Sequence, residues 1–165
     1  MFLSNPNADE NNPLLEAVNP YSQNVKTKDN PVLVFIKRFH DIATEGDMKS
    51  NWVLYNAFQN GYCWYFAHML QSAFERGTVC LCAPFGHFVW EDIDEVKYDI
   101  SGVYCGEAYY FIPESFMSKE QIGVFKHAGS TYKMGADDCI DLMKRYCEYY
   151  SIKYNDDCEK YLWNL

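Results

Sequence analysis

The fold is decided by residues 84–102, PFGHFVWEDIDEVKYDISG, in which two alternating runs flank an acidic turn. A three-residue loop between the runs places Trp90 opposite Tyr98, so that two large apolar side chains meet on one face. The same register places Glu91 opposite Lys97 on the other face, where opposite charges pair. A shift of one residue would disrupt the matching on both faces. The stretch therefore predicts an antiparallel β-hairpin.

One face of this hairpin carries two side chains that can act together. His87 is the diagonal neighbour of Asp99 across the strands, about 7 to 8 Å away at the backbone, which is close enough for the side chains to meet. A carboxylate bonded to one ring nitrogen fixes the tautomer and leaves the other nitrogen able to accept a proton. Taken separately, each residue has another interpretation. His87 can be a structural residue of a strand, and Asp99 can be an exposed carboxylate of the sheet.

A cysteine lies at a predicted helix start before the hairpin. Cys63 follows a break at Asn60-Gly61, and apolar positions then recur at four-residue spacing: Phe66, Leu70 and Phe74. Unpaired backbone N–H groups and the dipole at a helix start favour a thiolate over a thiol. The position favours Cys63 as a nucleophile, although cysteine is also among the residue types most often buried for packing.

The hydrophobic period along the rest of the chain changes from helical to β-like and back. The helices are expected at 31–46, 50–58, 63–76, 118–125, 137–150 and 156–163, and the strands at 78–83, 86–92, 96–101 and 109–112. This order predicts an α+β fold in which helices pack on a small antiparallel sheet. Residues 1–29, rich in Asn, Pro, Asp and Ser, are expected to form an irregular arm before a single domain at 30–165.

Composition and charge exclude several classes of function. The 165 residues include 14 Lys and Arg against 23 Asp and Glu, and the net charge of -9 repels nucleic-acid phosphates and anionic lipid surfaces. The first residues lack a secretory signal, and no apolar stretch approaches the length of a membrane span. Seven cysteines without such a signal indicate reduced thiols in a cytoplasmic protein. The aromatic content of 18% fits a dense core or a partner-binding surface.

The segment from Gly61 to Ala67, GYCWYFA, resembles the Gly-x-Cys-Trp-x-Phe-Ala/Ser helix start of papain-type cysteine proteases. The order of cysteine, strand histidine and aspartate over residues 50–102 is similar to that of transglutaminase-like members of the papain-like superfamily. The resemblance implies a papain-like core in which Cys63 is the nucleophile, His87 the general base and acid, and Asp99 the residue that orients the histidine. It implies no metal and no organic cofactor. A looser similarity links the Gly-Tyr-Cys, Gly-His and Tyr-Asp pattern to small proteins from phages and bacteria.

The chain departs from papain in ways that imply a compact relative. His87 follows Cys63 by only 24 positions, and Ala57 stands where papain-type enzymes place the glutamine of the oxyanion hole. The backbone N–H of Cys63 can supply one oxyanion donor, and the second is expected from Gln59 or Asn60. Three aromatic residues border the expected site and line a substrate pocket or belong to the core: Tyr62, Trp64 and Phe85.

We therefore expect a cysteine-dependent hydrolase or acyltransferase that acts on an amide, isopeptide or ester bond of a protein or peptide, through an acyl-enzyme. The alternative is an acidic, aromatic-rich interaction protein without catalysis, for example a phage-encoded inhibitor that binds a host protein. A zinc site at Cys80 and Cys82 is disfavoured, because a C-x-C pair without a matching second pair lacks the four ligands of a structural site.

Overall fold

The computed structural model describes residues 30–45, 51–127 and 134–163, which form an α+β fold. The expected arm at 1–29 lies outside the described residues. The α-helices are α1 (Pro31–Glu45), α2 (Asn51–Asn60), α3 (Cys63–Phe74), α4 (Lys119–Lys126), α5 (Ala136–Tyr149) and α6 (Lys160–Trp163). The strands are β1 (Thr78–Ala83), β2 (His87–Glu91), β3 (Lys97–Asp99), β4 (Gly102–Val103) and β5 (Tyr110–Pro113). The expected α+β class is confirmed. None of the described helices is long and apolar enough to cross a membrane.

Helix α1 begins as the sequence predicts. The Asn30 side chain accepts hydrogen bonds from the N–H groups of Val32 and Leu33, at 2.9 and 3.1 Å, and so caps the first turn. Both of these side chains are buried, and Ile36 and His40 continue the buried face one and two turns later. Ile42 is exposed although it is apolar, because it lies two residues beyond His40 and thus about 200° around the helix.

Helix α3 packs on the sheet and ends earlier than expected. Its buried face consists of Cys63, Phe66, Ala67 and Leu70. The helix ends at Phe74 because Glu75 adopts the left-handed conformation and its N–H donates a hydrogen bond to the Gln71 carbonyl oxygen. Gly77 lies farther on, in the turn into β1.

The antiparallel sheet has the order β4-β3-β2-β1-β5. Strands β2 and β3 pair Trp90 with Tyr98 and Glu91 with Lys97, which confirms the predicted register of the hairpin. The predicted third strand is shorter than expected, because the chain turns at Ile100-Ser101 and returns as β4. The predicted last helix is likewise divided into a 3-10 turn, Asp156–Glu159, and α6.

The two faces of the sheet bury different sets of side chains. The helix-covered face holds the main core, to which Leu81, Phe88 and Trp90 belong. On the opposite face a small cluster of Cys80, Cys82 and Val89 is covered by three residues of the chain after β4: Tyr104, Ala108 and Phe111. Cys82 of β1 pairs with His87, the first residue of β2. His87 therefore lies beside this second cluster.

Candidate active site

Cys63 is the first residue of α3, and its thiol is nearly enclosed, with 8% of the residue exposed. The preceding residue, Tyr62, provides no side-chain cap, so the first N–H groups of the helix remain available to the sulfur. Burial is the largest influence and would raise the pKa of the thiol. The hydrogen bond and charge of His87 outweigh it, together with the backbone hydrogen bonds of Phe88 and Trp64, and lower the pKa below its ordinary value of 9.0.

His87 begins β2 and is held by a carboxylate from β3. Its Nε2 lies 2.9 Å from Oδ2 of Asp99, and both residues are buried, so the predicted contact across the hairpin is confirmed. Burial, the largest influence, would lower the pKa of the imidazole. The hydrogen bonds to Asp99 and Cys63 and the two negative charges outweigh it and raise the pKa from 6.5 to about 9.

Asp99 is itself oriented by the turn that follows it. Its Oδ1 accepts a hydrogen bond from the backbone N–H of Ser101 at 2.8 Å and another from the Ser101 hydroxyl. The other oxygen, Oδ2, is thereby directed to His87. Ser101 was not among the residues singled out in the sequence, although the Asp-x-Ser spacing is a known pattern for a side chain that bonds the backbone two residues later.

Cys63, His87 and Asp99 thus lie together: His87 is hydrogen-bonded to Asp99, and the Cys63 thiol is close enough to His87 for each to shift the pKa of the other. Because Nε2 of His87 is engaged by Asp99, Nδ1 is the ring nitrogen that can exchange a proton with a nearby thiol. The pKa of the thiol is lowered while the pKa of the imidazole is raised, and these directions favour a thiolate beside an imidazolium. Such a pair can attack an electrophilic carbon and return a proton to a leaving group.

The ring of His87 is supported from the second face of the sheet. Tyr104 stacks on it with ring centroids 5.5 Å apart, and the Tyr104 hydroxyl donates a hydrogen bond to the Glu107 carbonyl oxygen at 3.2 Å. The tyrosine also covers Gly106, where an added Cβ would lie 2.3 Å from the phenol oxygen. Nothing in the sequence marked Tyr104, because this contact depends on the path of an irregular loop.

The two amides proposed for the oxyanion hole differ in environment. Gln59 is buried with 7% exposed, in the last turn of α2 directly before the Cys63 helix. Asn60 is exposed, and its amide donates to the side chain of Asn56 at 2.9 Å. Gln59 is therefore the more enclosed of the two amides, and its side chain is not engaged with Asn56 as that of Asn60 is.

The three aromatic residues expected at the border of the site occupy different surroundings. Tyr62 is exposed and packs against Phe58, with centroids 5.8 Å apart. Trp64 is half-buried, and its ring lies 4.1 Å from that of His68. Phe85, in the turn before His87, packs against the ring of Tyr161 at 5.2 Å.

The other described cysteines lie in different environments. Cys80 and Cys82 are buried in β1, where burial raises the pKa of both thiols. Within the described ranges, no three histidine, cysteine or acidic side chains converge as a group that could hold a metal ion. Cys105 is half-buried in the loop after β4, and burial also raises its pKa.

Comparison with known proteins identifies one family. A family model described as Phage YunG-like protein matches residues 35–135, which is more than half of the chain and includes Cys63, His87 and Asp99. The chain therefore belongs to the Phage YunG-like family, in agreement with the expected link to phages. No curated protein and no solved structure matches the chain.

Proposed function

We propose that this member of the Phage YunG-like family is a cysteine-dependent hydrolase or acyltransferase that acts on an amide, isopeptide or ester bond of a protein or peptide. The observation that carries the proposal is the placement of Cys63, at a helix start, near His87, whose ring is hydrogen-bonded to the buried carboxylate of Asp99. An imidazole held by a buried carboxylate near a thiol at a helix start is an arrangement suited to nucleophilic catalysis. A papain-like arrangement of the core is part of this proposal.

The first half of the reaction forms a thioester. The Cys63 thiolate attacks the carbonyl carbon, a C–S bond forms, and the electron pair of the carbonyl moves to oxygen. As the tetrahedral intermediate collapses, the C–N or C–O bond to the leaving group breaks and the His87 imidazolium transfers its proton to the departing atom. Asp99 keeps the ring in the tautomer and orientation that this transfer needs.

The second half releases the acyl group. His87, now neutral, removes a proton from water or from an acceptor amine, which attacks the thioester carbon. Cys63 leaves as a thiolate and the imidazolium is restored. The choice of acceptor distinguishes a hydrolase from an acyltransferase.

The oxyanion is assigned to two donors near the start of α3. The N–H of Cys63 lies in the first turn, where helical N–H groups lack an intrahelical acceptor. The Gln59 amide is the second donor, since it is buried directly before this turn.

Replacing Gln59 by Ala is expected to lower kcat about 10²-fold while Cys63 remains reactive to alkylation. An unchanged kcat in Gln59→Ala would remove this residue from the oxyanion hole, and Asn60→Ala is the neighbouring control.

A test of the proposal is the trapping of an acyl-enzyme. The protein is incubated with p-nitrophenyl acetate, and intact and peptide masses locate the acetyl group. The proposal requires acetylation at Cys63 and a loss of about 10²- to 10⁴-fold in its rate in His87→Ala. Cys105→Ser is the matched control, because Cys105 is also partly accessible but lies outside the triad. Acetylation spread over several cysteines, or unaffected by His87→Ala, would contradict the proposal.

The alternative, an interaction protein without catalysis, is favoured by one exposed aromatic group. Tyr149 and Tyr150 at the end of α5 are 73% and 49% exposed, and they pack with Phe116 at 5.2 and 5.8 Å. Exposed tyrosines supply large contact areas at protein interfaces. This alternative predicts that Cys63→Ala retains full biological activity and that Tyr149→Ala loses it.

A further inference from the structure

Helix α1 is tied at two points to the strand that carries Asp99 and to the turn after it. Near its start, the Asn30 amide donates a hydrogen bond to the Tyr98 hydroxyl at 2.9 Å. Farther along the helix, Nε2 of the buried His40 lies 2.6 Å from the Ile100 carbonyl oxygen. A carbonyl oxygen can only accept, so the His40 ring donates this bond. The reaction described above does not use His40.

The bond from His40 falls on the peptide group that also holds Asp99. The Ile100 carbonyl and the Ser101 N–H belong to one peptide group, and the Ser101 N–H donates to Oδ1 of Asp99 at 2.8 Å. This peptide bond is trans, so its C=O and N–H point in opposite directions. His40 and Asp99 therefore bind the group from opposite sides, and a rotation of the group would disturb both bonds.

The side chains around this peptide group are enclosed. His40, Asp99, Ser101 and His87 are all buried, as is Ile100. Hydrogen bonds in such surroundings are stronger than in water and polarise one another, so that a donor on the carbonyl oxygen makes the N–H of the same peptide group a better donor. The bond from His40 thus strengthens the bond from Ser101 to Asp99, whose other oxygen holds His87.

The His40 ring is suited to this contact in its neutral form. Burial is the largest influence on its pKa and, together with the charge of Lys37, outweighs the Ile100 hydrogen bond and the charges of Asp41 and Asp99, so the pKa lies below its ordinary value of 6.5. A neutral imidazole has one N–H, and the contact with the Ile100 carbonyl fixes it on Nε2.

We infer that His40 is a positioning residue of the proposed active site, which holds the Ile100–Ser101 peptide group so that the Ser101 N–H fixes Asp99 against His87. This inference rests on the proposed function, to whose three side chains it adds a fourth, from α1. His40 acts through the peptide group and the carboxylate that this group orients.

The test is the pH dependence of Cys63 alkylation in His40→Leu, which removes the ring N–H and leaves an apolar side chain in a buried position. Asp99 is then held less firmly, so the pKa of His87 is expected to fall and that of Cys63 to rise. Iodoacetamide labelling of Cys63 at neutral pH should slow about 3- to 10-fold, and its pH profile should move to higher pH. NMR titration of His87 measures the first shift.

Two matched variants separate the hydrogen bond from packing. In His40→Gln the amide nitrogen lies as many bonds from Cα as Nε2 of histidine, so it can donate to the same carbonyl and should keep the pH profile of the unmodified protein. Ile36→Val loosens the same buried face one turn earlier without removing a hydrogen bond. The inference is refuted if His40→Leu leaves both titrations unchanged, or if His40→Gln or Ile36→Val displaces them equally.

A measurement on the unmodified protein decides the matter if His40→Leu does not fold. Nitrogen-15 NMR should show a neutral His40 ring with its proton on Nε2, and a proton on Nδ1 alone would overturn the inference. If Cys63 of the unmodified protein labels no faster than an ordinary thiol, the proposed function fails and the role of His40 with it. Rapid labelling of Cys63 that is unchanged in His40→Leu overturns the role of His40 alone.

Discussion

At the scale of a single residue, the charge of His87 is set by two opposed influences. Burial disfavours an imidazolium, whereas Asp99 and the Cys63 sulfur favour it and determine the outcome, a pKa raised to about 9. The same imidazolium offsets the burial of the thiol and lowers the pKa of Cys63. The lowered pKa of Cys63 therefore depends, through His87, on the Asp99 carboxylate.

Asp99→Asn tests this dependence. The amide keeps the size of the side chain but removes the negative charge, so burial weighs more on the imidazole and the pKa of His87 is expected to fall from about 9 towards 6.5 or below. The neutral histidine stabilises the Cys63 thiolate less, and alkylation of Cys63 shifts to higher pH. NMR titration of His87 measures the first effect. Ser101→Ala, which removes one hydroxyl bond to Asp99, is the milder control, and a His87 pKa still near 9 in Asp99→Asn would contradict the account.

The three residues of the proposed triad could be singled out from the sequence, and their supporting contacts could not. Cys63 was marked by a helix start, and His87 and Asp99 by the register of one hairpin, so local rules sufficed. Tyr104 contacts His87 from an irregular segment after β4, and no periodicity encodes where that segment lies. The pairing of His68 with Glu114, at 2.5 Å, escaped prediction for the same reason.

At the scale of the elements, the turns at the two ends of β1 each contain a glycine with a positive φ angle, but the space around the two glycines differs. Gly77 and Gly86 have φ angles of +77° and +73°, in the region that other residues adopt only at a cost. A Cβ at Gly77 would also lie 2.4 Å from the Glu91 carbonyl oxygen, whereas a Cβ at Gly86 meets nothing within 4 Å. The first turn is thus limited by space as well as by backbone conformation.

The two alanine variants are expected to differ in stability. Gly86→Ala should lower the free energy of unfolding by about 1 to 2 kcal/mol, which is the cost of the left-handed conformation. Gly77→Ala should lower it by about 2 to 5 kcal/mol, because displacement of the β2 backbone adds to that cost. Urea denaturation of both variants measures the difference. Equal destabilisation of the two variants would show that the close approach of Gly77 to the Glu91 carbonyl oxygen does not add to the cost of the substitution.

The hairpin register was predictable, and the end of the sheet was not. Large apolar pairs and an ion pair specify one register for β2 and β3, and the structure has that register. Strand β4 is only two residues long and follows a tight turn, so it carries no alternation that a sequence pattern could detect. Its glycine, Gly102, has a φ of +101°, and it pairs with Asp99.

At the scale of the whole molecule, an ion pair links the end of α3 to the tip of the hairpin. Arg76 donates two hydrogen bonds of 2.7 Å to the two carboxylate oxygens of Asp92. Burial would raise the pKa of Asp92, but the bonds from Arg76 and from the Ile93 N–H outweigh it and lower the pKa. A carboxyl with a lowered pKa adds stability above its unfolded pKa, and this contribution is lost as the pH falls through the folded value.

Arg76→Met should therefore destabilise the protein in a pH-dependent way. At neutral pH the buried Asp92 carboxylate loses its partner, and the free energy of unfolding is expected to fall by about 1 to 3 kcal/mol. The difference should shrink below about pH 4, where Asp92 becomes protonated in the variant. Lys37→Met, which removes an exposed pair with Asp41, should change stability by less than about 0.5 kcal/mol. A pH-independent effect of Arg76→Met would contradict this explanation.

The central claim, that His87 activates Cys63, is tested most directly by the pH dependence of iodoacetamide labelling at each cysteine, in the unmodified protein and in His87→Ala. The account predicts that Cys63 is modified below about pH 8, faster than the other cysteines. In His87→Ala this reactivity should be lost, because burial then raises the pKa of the thiol. Labelling of Cys63 at the rate of an ordinary thiol, unchanged in His87→Ala, would contradict the claim.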